Sequence, residues 1–231
     1  MNKIIIAVDG PAASGKGTFA KALAARLLYA YLDTGALYRI VALAVLQKGG
    51  DPSNPEDVKP ALAAIKYPLP PGQLTNAALR SPEVGEAVPQ VAAMPEVRAA
   101  VRAYQSAFME TPPENAAGVV LDGRDIGTVV CPDADIKFFV TAAPEERARR
   151  RFEEQKTSNP GLTLEMVLED INERDQRDSN RPISPLRPAA DAIMLDTTKL
   201  SPAETLEKGV DIVEAKRQKK FSKPNINGPK L

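Results

Sequence analysis

The stretch Gly10-Pro11-Ala12-Ala13-Ser14-Gly15-Lys16-Gly17-Thr18 constrains this chain more than any other. It follows the apolar run Ile4–Val8 and opens a helical pattern over Phe19–Leu28, in which Phe19, Leu23 and Leu27 recur at steps of four on one face. A strand, a G-x-x-x-x-G-K loop and a helix, in that order, form a phosphate cradle. The glycines let backbone N–H groups converge on an anion at the positive end of a helix, and the lysine reaches the β- and γ-phosphates. Each position from Gly10 to Thr18 is therefore a candidate ATP contact, with Lys16 the catalytic cation. Gly17 stands where a hydroxyl usually follows the lysine, so Thr18, one place later, is the candidate near Mg²⁺.

Strand-length apolar runs recur at Ile4–Val8, Tyr29–Leu32, Val119–Leu121, Ile136–Val140 and Ala192–Leu195, and they run into Asp9, Asp33, Asp122, Thr141 and Asp196. Continuous rather than alternating apolar runs suit strands covered on both faces. Helical patterns between them predict an α/β fold: three layers, α/β/α, around a parallel sheet. Ligands of such sheets bind at the carboxyl ends of the strands, where these Asp and Thr residues fall. A length of 231 residues suits one domain with small additions. The expected division is a core over 1–64, an insertion over 65–95, and a continued core over 96–231 that contains a lid at about 152–163 and a basic tail over 216–231. The insertion carries Pro68, Pro70, Pro71, Pro82, Pro89 and Pro95, and is expected to hold weak secondary structure.

Composition narrows the chemistry. The chain has no histidine and one cysteine, Cys131, which excludes histidine-based triads, imidazole-held zinc and an internal disulfide framework. Thirty Lys+Arg balance thirty Asp+Glu, so no global charge marks a nucleic-acid or membrane-surface binder. No apolar run approaches the roughly 18–20 residues that span a bilayer. A cytoplasmic protein with no signal peptide and no membrane segment is expected.

The segment Thr163–Arg181 says most about an acceptor. Behind Thr163, a candidate N-cap, Leu164, Val167, Leu168 and Ile171 form an apolar stripe; at about 100° per residue, Arg174 and Asp178 continue it and Arg181 lies just beyond its edge. Burying an unpaired charge costs several kcal/mol. This face must meet solvent, counter-charges or a charged ligand. Arg39 follows Asp33-Thr34, and Arg124 follows Asp122-Gly123, so both arginines sit beside strand ends. Several guanidinium forks are the best holders of a dianionic phosphate. Asp122 is placed either to orient Mg²⁺, directly or through water, or to cap a turn. The basic run at 147–151 either faces a nucleotide or pairs with Glu145, Glu146, Glu153 and Glu154. No Asn-Lys-x-Asp guanine reader occurs. A small-molecule kinase remains, against a nucleotide-binding regulator or RNA-binding protein that uses the Lys216–Lys230 tail.

Together the motifs resemble the nucleoside monophosphate kinases, and within them the bacterial cytidylate kinase family. The matching strings are Val8–Pro11 leading into Gly15–Thr18, DTGALYR at 33–39, QVAAMPEVR at 90–98, DGRDIGTVV at 122–130, PDADIKFFV at 132–140, EERARRR at 145–151 and ERDQRDSNR at 173–181. The resemblance implies a five-stranded parallel sheet with a monophosphate-binding insertion and a short lid. It implies Mg²⁺-dependent transfer of the γ-phosphoryl of ATP to CMP or dCMP, with UMP or AMP as the alternative acceptors, in a monomer that binds no nucleic acid. Arg39, Arg124 and Arg181, with the Thr34 hydroxyl, would grip the acceptor phosphate. Arg174 and Asp178 would reach the ribose, and Arg98 and Asp125 would read the cytosine edge. Arg147 would hold ATP and Arg151 the migrating phosphoryl, so Lys16, Arg124, Arg181 and Arg151 are the expected catalytic side chains. In one departure, Pro89 stands where the family has a base-contacting serine.

Overall fold

Five strands form one sheet: β1 (Ile4–Asp9), β2 (Ala30–Asp33), β3 (Gly118–Gly123), β4 (Ile136–Thr141) and β5 (Ile193–Asp196). Their order is β2-β3-β1-β4-β5, with every pairing parallel. The computed structural model describes residues 3–157 and 159–221. Near-continuous burial of β1, β3 and β4 follows from their Ile/Val/Phe runs, which leave neither sheet face for water. Register pairs Asp33 with Asp122, Asp9 with Gly123, and Thr141 with Asp196. The polar strand ends therefore share one edge, as expected.

The helices are α1 (Lys16–Leu27), α2 (Thr34–Leu46), α3 (Pro55–Val58), α4 (Pro82–Ala93), α5 (Pro95–Glu110), α6 (Pro144–Gln155), α7 (Leu164–Asn180) and α8 (Pro202–Phe221). One core, built from Phe19 and Leu23 of α1 and Val210 and Val213 of α8, covers one sheet face. The other face packs against α2, α4 and α5 through Leu37, Val41, Val91 and Val101. A third, small cluster of Ala148, Val167 and Ile171 joins α6 to α7, and Ala13 rests against it. Two helix starts, the one predicted at Thr163 among them, are capped as their residue types require. Asp33 accepts from the Ala36 N–H at 3.1 Å, and Thr163 Oγ1 from the Met166 N–H at 3.3 Å.

One expectation is corrected. The Pro-rich stretch is not uniformly weak: short 3₁₀ turns at Gln73–Thr75 and Ala77–Arg80 lead into the regular helix α4. Pro82 occupies a first-turn position, where its missing N–H costs nothing, and the Ser81 side chain caps the helix. Val84, Ala87 and Val91 bury one face, while Pro89 stands exposed within the helix, so the donor it lacks falls on the solvent side. The helix α8 runs to Phe221 and takes in the start of the basic stretch that opens at Lys216; residues 222–231 lie outside the described residues, as does Ser158 of the lid. Among the described residues no helix is long and apolar enough to cross a membrane.

Candidate active site

The phosphate loop is folded by three left-handed residues, Gly10 (φ 153°), Ala13 (φ 56°) and Gly15 (φ 82°). A Cβ on Gly10 would sit 2.0 Å from the Val140 carbonyl oxygen, so only glycine lets the loop pass over the end of β4. Ser14 is buried and donates its hydroxyl to the Pro11 carbonyl at 3.1 Å. Lys16 opens α1 with its ammonium drawn out of water. This desolvation, helped by the Arg124 charge, lowers its pKa to about 8, while Asp122 and Asp33 oppose the shift. Gly17 explains the displaced hydroxyl: a Cβ there would approach Asp122 Oδ2 to 3.1 Å, so the carboxylate takes the space a side chain would have filled. Asp122 is buried and accepts from the Tyr31 hydroxyl at 3.1 Å; burial raises its pKa, and the nearby Lys16 ammonium holds it down. Thr18, by contrast, is exposed on the first turn of α1.

Opposite Lys16 the predicted acceptor residues form one connected group. Arg124 donates Nε to Asp178 at 2.9 Å and a terminal nitrogen to the Gly123 carbonyl at 3.2 Å. Arg98 pairs with Asp125 at 2.9 Å, and Arg39 pairs with Asp33 at 2.6 Å. Desolvation lowers the basicity of Arg174, with the Arg124 charge adding to the effect. It lowers Arg181 likewise, against the pull of Asp125 and Asp178, and Arg181 donates to the Ser184 carbonyl. Six cations (Lys16, Arg39, Arg98, Arg124, Arg174, Arg181) thus share the site with four carboxylates (Asp33, Asp122, Asp125, Asp178). The Nε of Arg39 is buried without a hydrogen-bond partner. A buried donor left unmade costs about 1–3 kcal/mol. Thr34 departs from expectation. Its buried hydroxyl donates to the Asp122 carbonyl at 2.6 Å, which fastens α2 to the end of β3 rather than offering a proton to phosphate.

Arg147 and Arg151, the two arginines of the run expected at the ATP side, separate. Arg147 is 3% exposed and spends its guanidinium on protein: Nε on the Ala142 carbonyl at 2.9 Å, one terminal nitrogen on the Ala12 carbonyl at 3.3 Å, and both terminal nitrogens on Asp175 at 3.1 and 2.6 Å. It ties the phosphate loop to α7 instead of presenting donors to nucleotide, because a guanidinium this deep needs a carboxylate of its own. Arg150, which its position in the run did not single out, lies beside the loop, 3.7 Å from where a Cβ on Gly15 would stand, and bonds to Thr197. The Thr197 hydroxyl donates in turn to the Ser14 carbonyl at 3.0 Å. Arg151 is half-buried, its charge felt by Arg174, with no ion pair among the described residues. Removing the Asp175 carboxylate would strand the Arg147 charge. Asp175→Ala is expected to cost about 3 kcal/mol, which for a chain of this length lowers Tm by roughly 6–12 °C in a thermal melt. An unchanged Tm would contradict the tie.

The sequence profile described as cytidylate kinase matches residues 6–215. A Rhodospirillum rubrum protein named cytidylate kinase is 50% identical over 94% of this chain and 100% of its own length. A Rhodopseudomonas palustris protein of the same name is 48% identical over 93% of this chain and 97% of its own. Among solved structures, an uncharacterized protein from Eubacterium ventriosum superposes with a TM-score of 0.55 at 13% identity, covering 92% of this chain and 99% of that one, a likeness of fold alone.

Proposed function

The chain belongs to the cytidylate kinase family, and from that premise we propose how its residues carry the γ-phosphoryl of ATP to CMP or dCMP, giving ADP and CDP or dCDP. The observation that carries the reading is that desolvation depresses the basicity of Lys16, Arg174 and Arg181, and that Arg124 stands close enough to each to add to the effect. A dianionic phosphate relieves the repulsion among these cations and accepts from several guanidinium forks at once. Arg39, Arg124 and Arg181 hold that phosphate, Arg174 and Asp178 the ribose, and Arg98 and Asp125 the base, with the Asp125 carboxylate accepting from the exocyclic amine of cytosine. Lys16 and the loop amides hold the β- and γ-phosphates, and Arg151, unpaired at the edge of the group, reaches the moving phosphoryl.

Transfer is in line and direct. The single cysteine is buried and its thiol is pushed up to about 12 by burial, so it is no nucleophile. The work left to the protein is to position the two nucleotides, spread the transferring charge and exclude water. A Mg²⁺ ion fits a site with one carboxylate at the loop, Asp122, since this ion takes one or two carboxylates together with phosphates and water. Asp122 would hold it, with Thr18 nearby, and the ion would neutralise charge between the β- and γ-phosphates. The free Cys131 thiol suits the reducing cytoplasm.

A coupled ADP-release assay with CMP, dCMP, UMP and AMP in parallel tests the reading. ADP release is expected to require an acceptor and to be fastest with CMP or dCMP. Release that is equally fast without an acceptor would overturn transfer, and a preference for UMP or AMP would overturn the base assignment of Asp125.

A further inference from the structure

Asp9 ends β1, immediately before the loop glycine Gly10, and is 4% exposed. Its two oxygens accept from consecutive backbone amides: Oδ1 from Ile126 at 2.8 Å and Oδ2 from Gly127 at 2.7 Å. These residues open the tight π-helical turn Ile126–Val130, directly after Arg124 and Asp125. The amides of Val129 and Val130 bond back to the Asp125 carbonyl and that of Cys131 to the Ile126 carbonyl, whereas the first two amides of the turn are satisfied by Asp9. Gly127 lies between Asp9 and β4: a Cβ there would meet Asp9 Oδ2 at an ordinary 3.4 Å and press on Lys137 Cδ at 3.1 Å.

We propose that Asp9 is a positioning residue for phosphoryl transfer: its carboxylate locks the 124–127 segment to the root of the phosphate loop and so sets where Arg124 and Asp125 stand relative to Lys16. This rests on reading Arg124 and Asp125 as acceptor contacts. A carboxylate suits the task because both its oxygens accept, whereas the amide of an asparagine would turn N–H donors against one of the two backbone N–H groups. Burial is unfavourable for the charge and raises the pKa of Asp9 to about 6, even with the two amides holding it down. The charged and titratable groups around it are Asp125, which pushes it up, Arg124, which pulls it down, the Cys131 thiol at the end of the turn, and Lys137 of β4 across Gly127. Below about pH 6 the carboxyl takes up a proton, one oxygen becomes a donor facing an N–H, and a tie to the segment is lost.

The test uses the full chain without nucleotide, because the phosphate of CMP titrates in the same range. In ¹⁵N-edited NMR, the Ile126 and Gly127 amides are expected to shift together with one inflection near pH 6. Asp9→Asn should abolish that inflection and speed their hydrogen exchange by at least about tenfold, as loss of a charge-assisted bond of about 1.5–3 kcal/mol requires. In steady state the same variant should raise the KM for CMP about tenfold and change the KM for ATP less than about twofold. Amides blind to both pH and the substitution, or equal changes in the two KM values, would overturn the proposal. Should Asp9→Asn fail to fold, the titration of the unaltered protein decides alone. An unaltered protein with the inflection but no CMP-dependent turnover would keep the tie and overturn the acceptor reading on which the role rests.

Discussion

Lys16→Ala is expected to lower kcat with CMP by about a thousandfold or more, the largest single loss in this protein. The ammonium opens α1, where the backbone amides of the loop already point at phosphate, and it is desolvated enough that its pKa falls to about 8. It stays protonated at neutral pH, and away from bulk water its field on a developing negative charge is weakly screened. The two arginines nearest the loop are engaged elsewhere: Arg147 is bound to Asp175 and Arg150 to Glu146 and Thr197. The coupled ADP-release assay reads the loss, with circular dichroism to show an intact fold. A variant that keeps a tenth of the rate would place the donor phosphates elsewhere.

Arg124→Ala is expected to lower kcat/KM for CMP by about 10²–10³-fold while leaving the KM for ATP within about threefold. Arg124 is the joint of the site. It bonds Asp178, feels Arg174 and Arg181, and lowers the basicity of Lys16. Its loss removes one fork from the phosphate and leaves the Asp178 carboxylate unpaired. Arg124→Lys should rescue little, because a point charge cannot serve Asp178 and phosphate in two directions at once. Full activity with lysine would mean that charge alone, not the fork, is used.

The sheet was legible because its strands are unbroken apolar runs, and the donor loop because its glycines and lysine have fixed spacing. The charged face of α7 was legible because Arg174 and Asp178 interrupt an apolar stripe, a conflict that solvent, counter-charges or a ligand must resolve. The arginine run was not. One helical turn sends Arg147, Arg150 and Arg151 in three directions, and what buries Arg147 is a carboxylate 28 residues away, beyond the reach of any spacing rule. The helix α4 was hidden by prolines whose missing donors fall at its first turn and on its exposed face. Asp9 and Thr34 could be read as strand and helix ends, but their partners, the 126–127 amides and the Asp122 carbonyl, come from chain more than eighty residues on.

The central claim is that guanidinium groups from α2, the end of β3 and the end of α7 converge on the acceptor phosphate. Calorimetric titration with CMP and with cytidine, on the unaltered protein and on Arg124→Ala, tests it most directly. CMP is expected to bind at least about a hundredfold tighter than cytidine, about 2.7 kcal/mol, and the gap to narrow sharply in the variant. Equal affinity for CMP and cytidine in the unaltered protein would contradict the account.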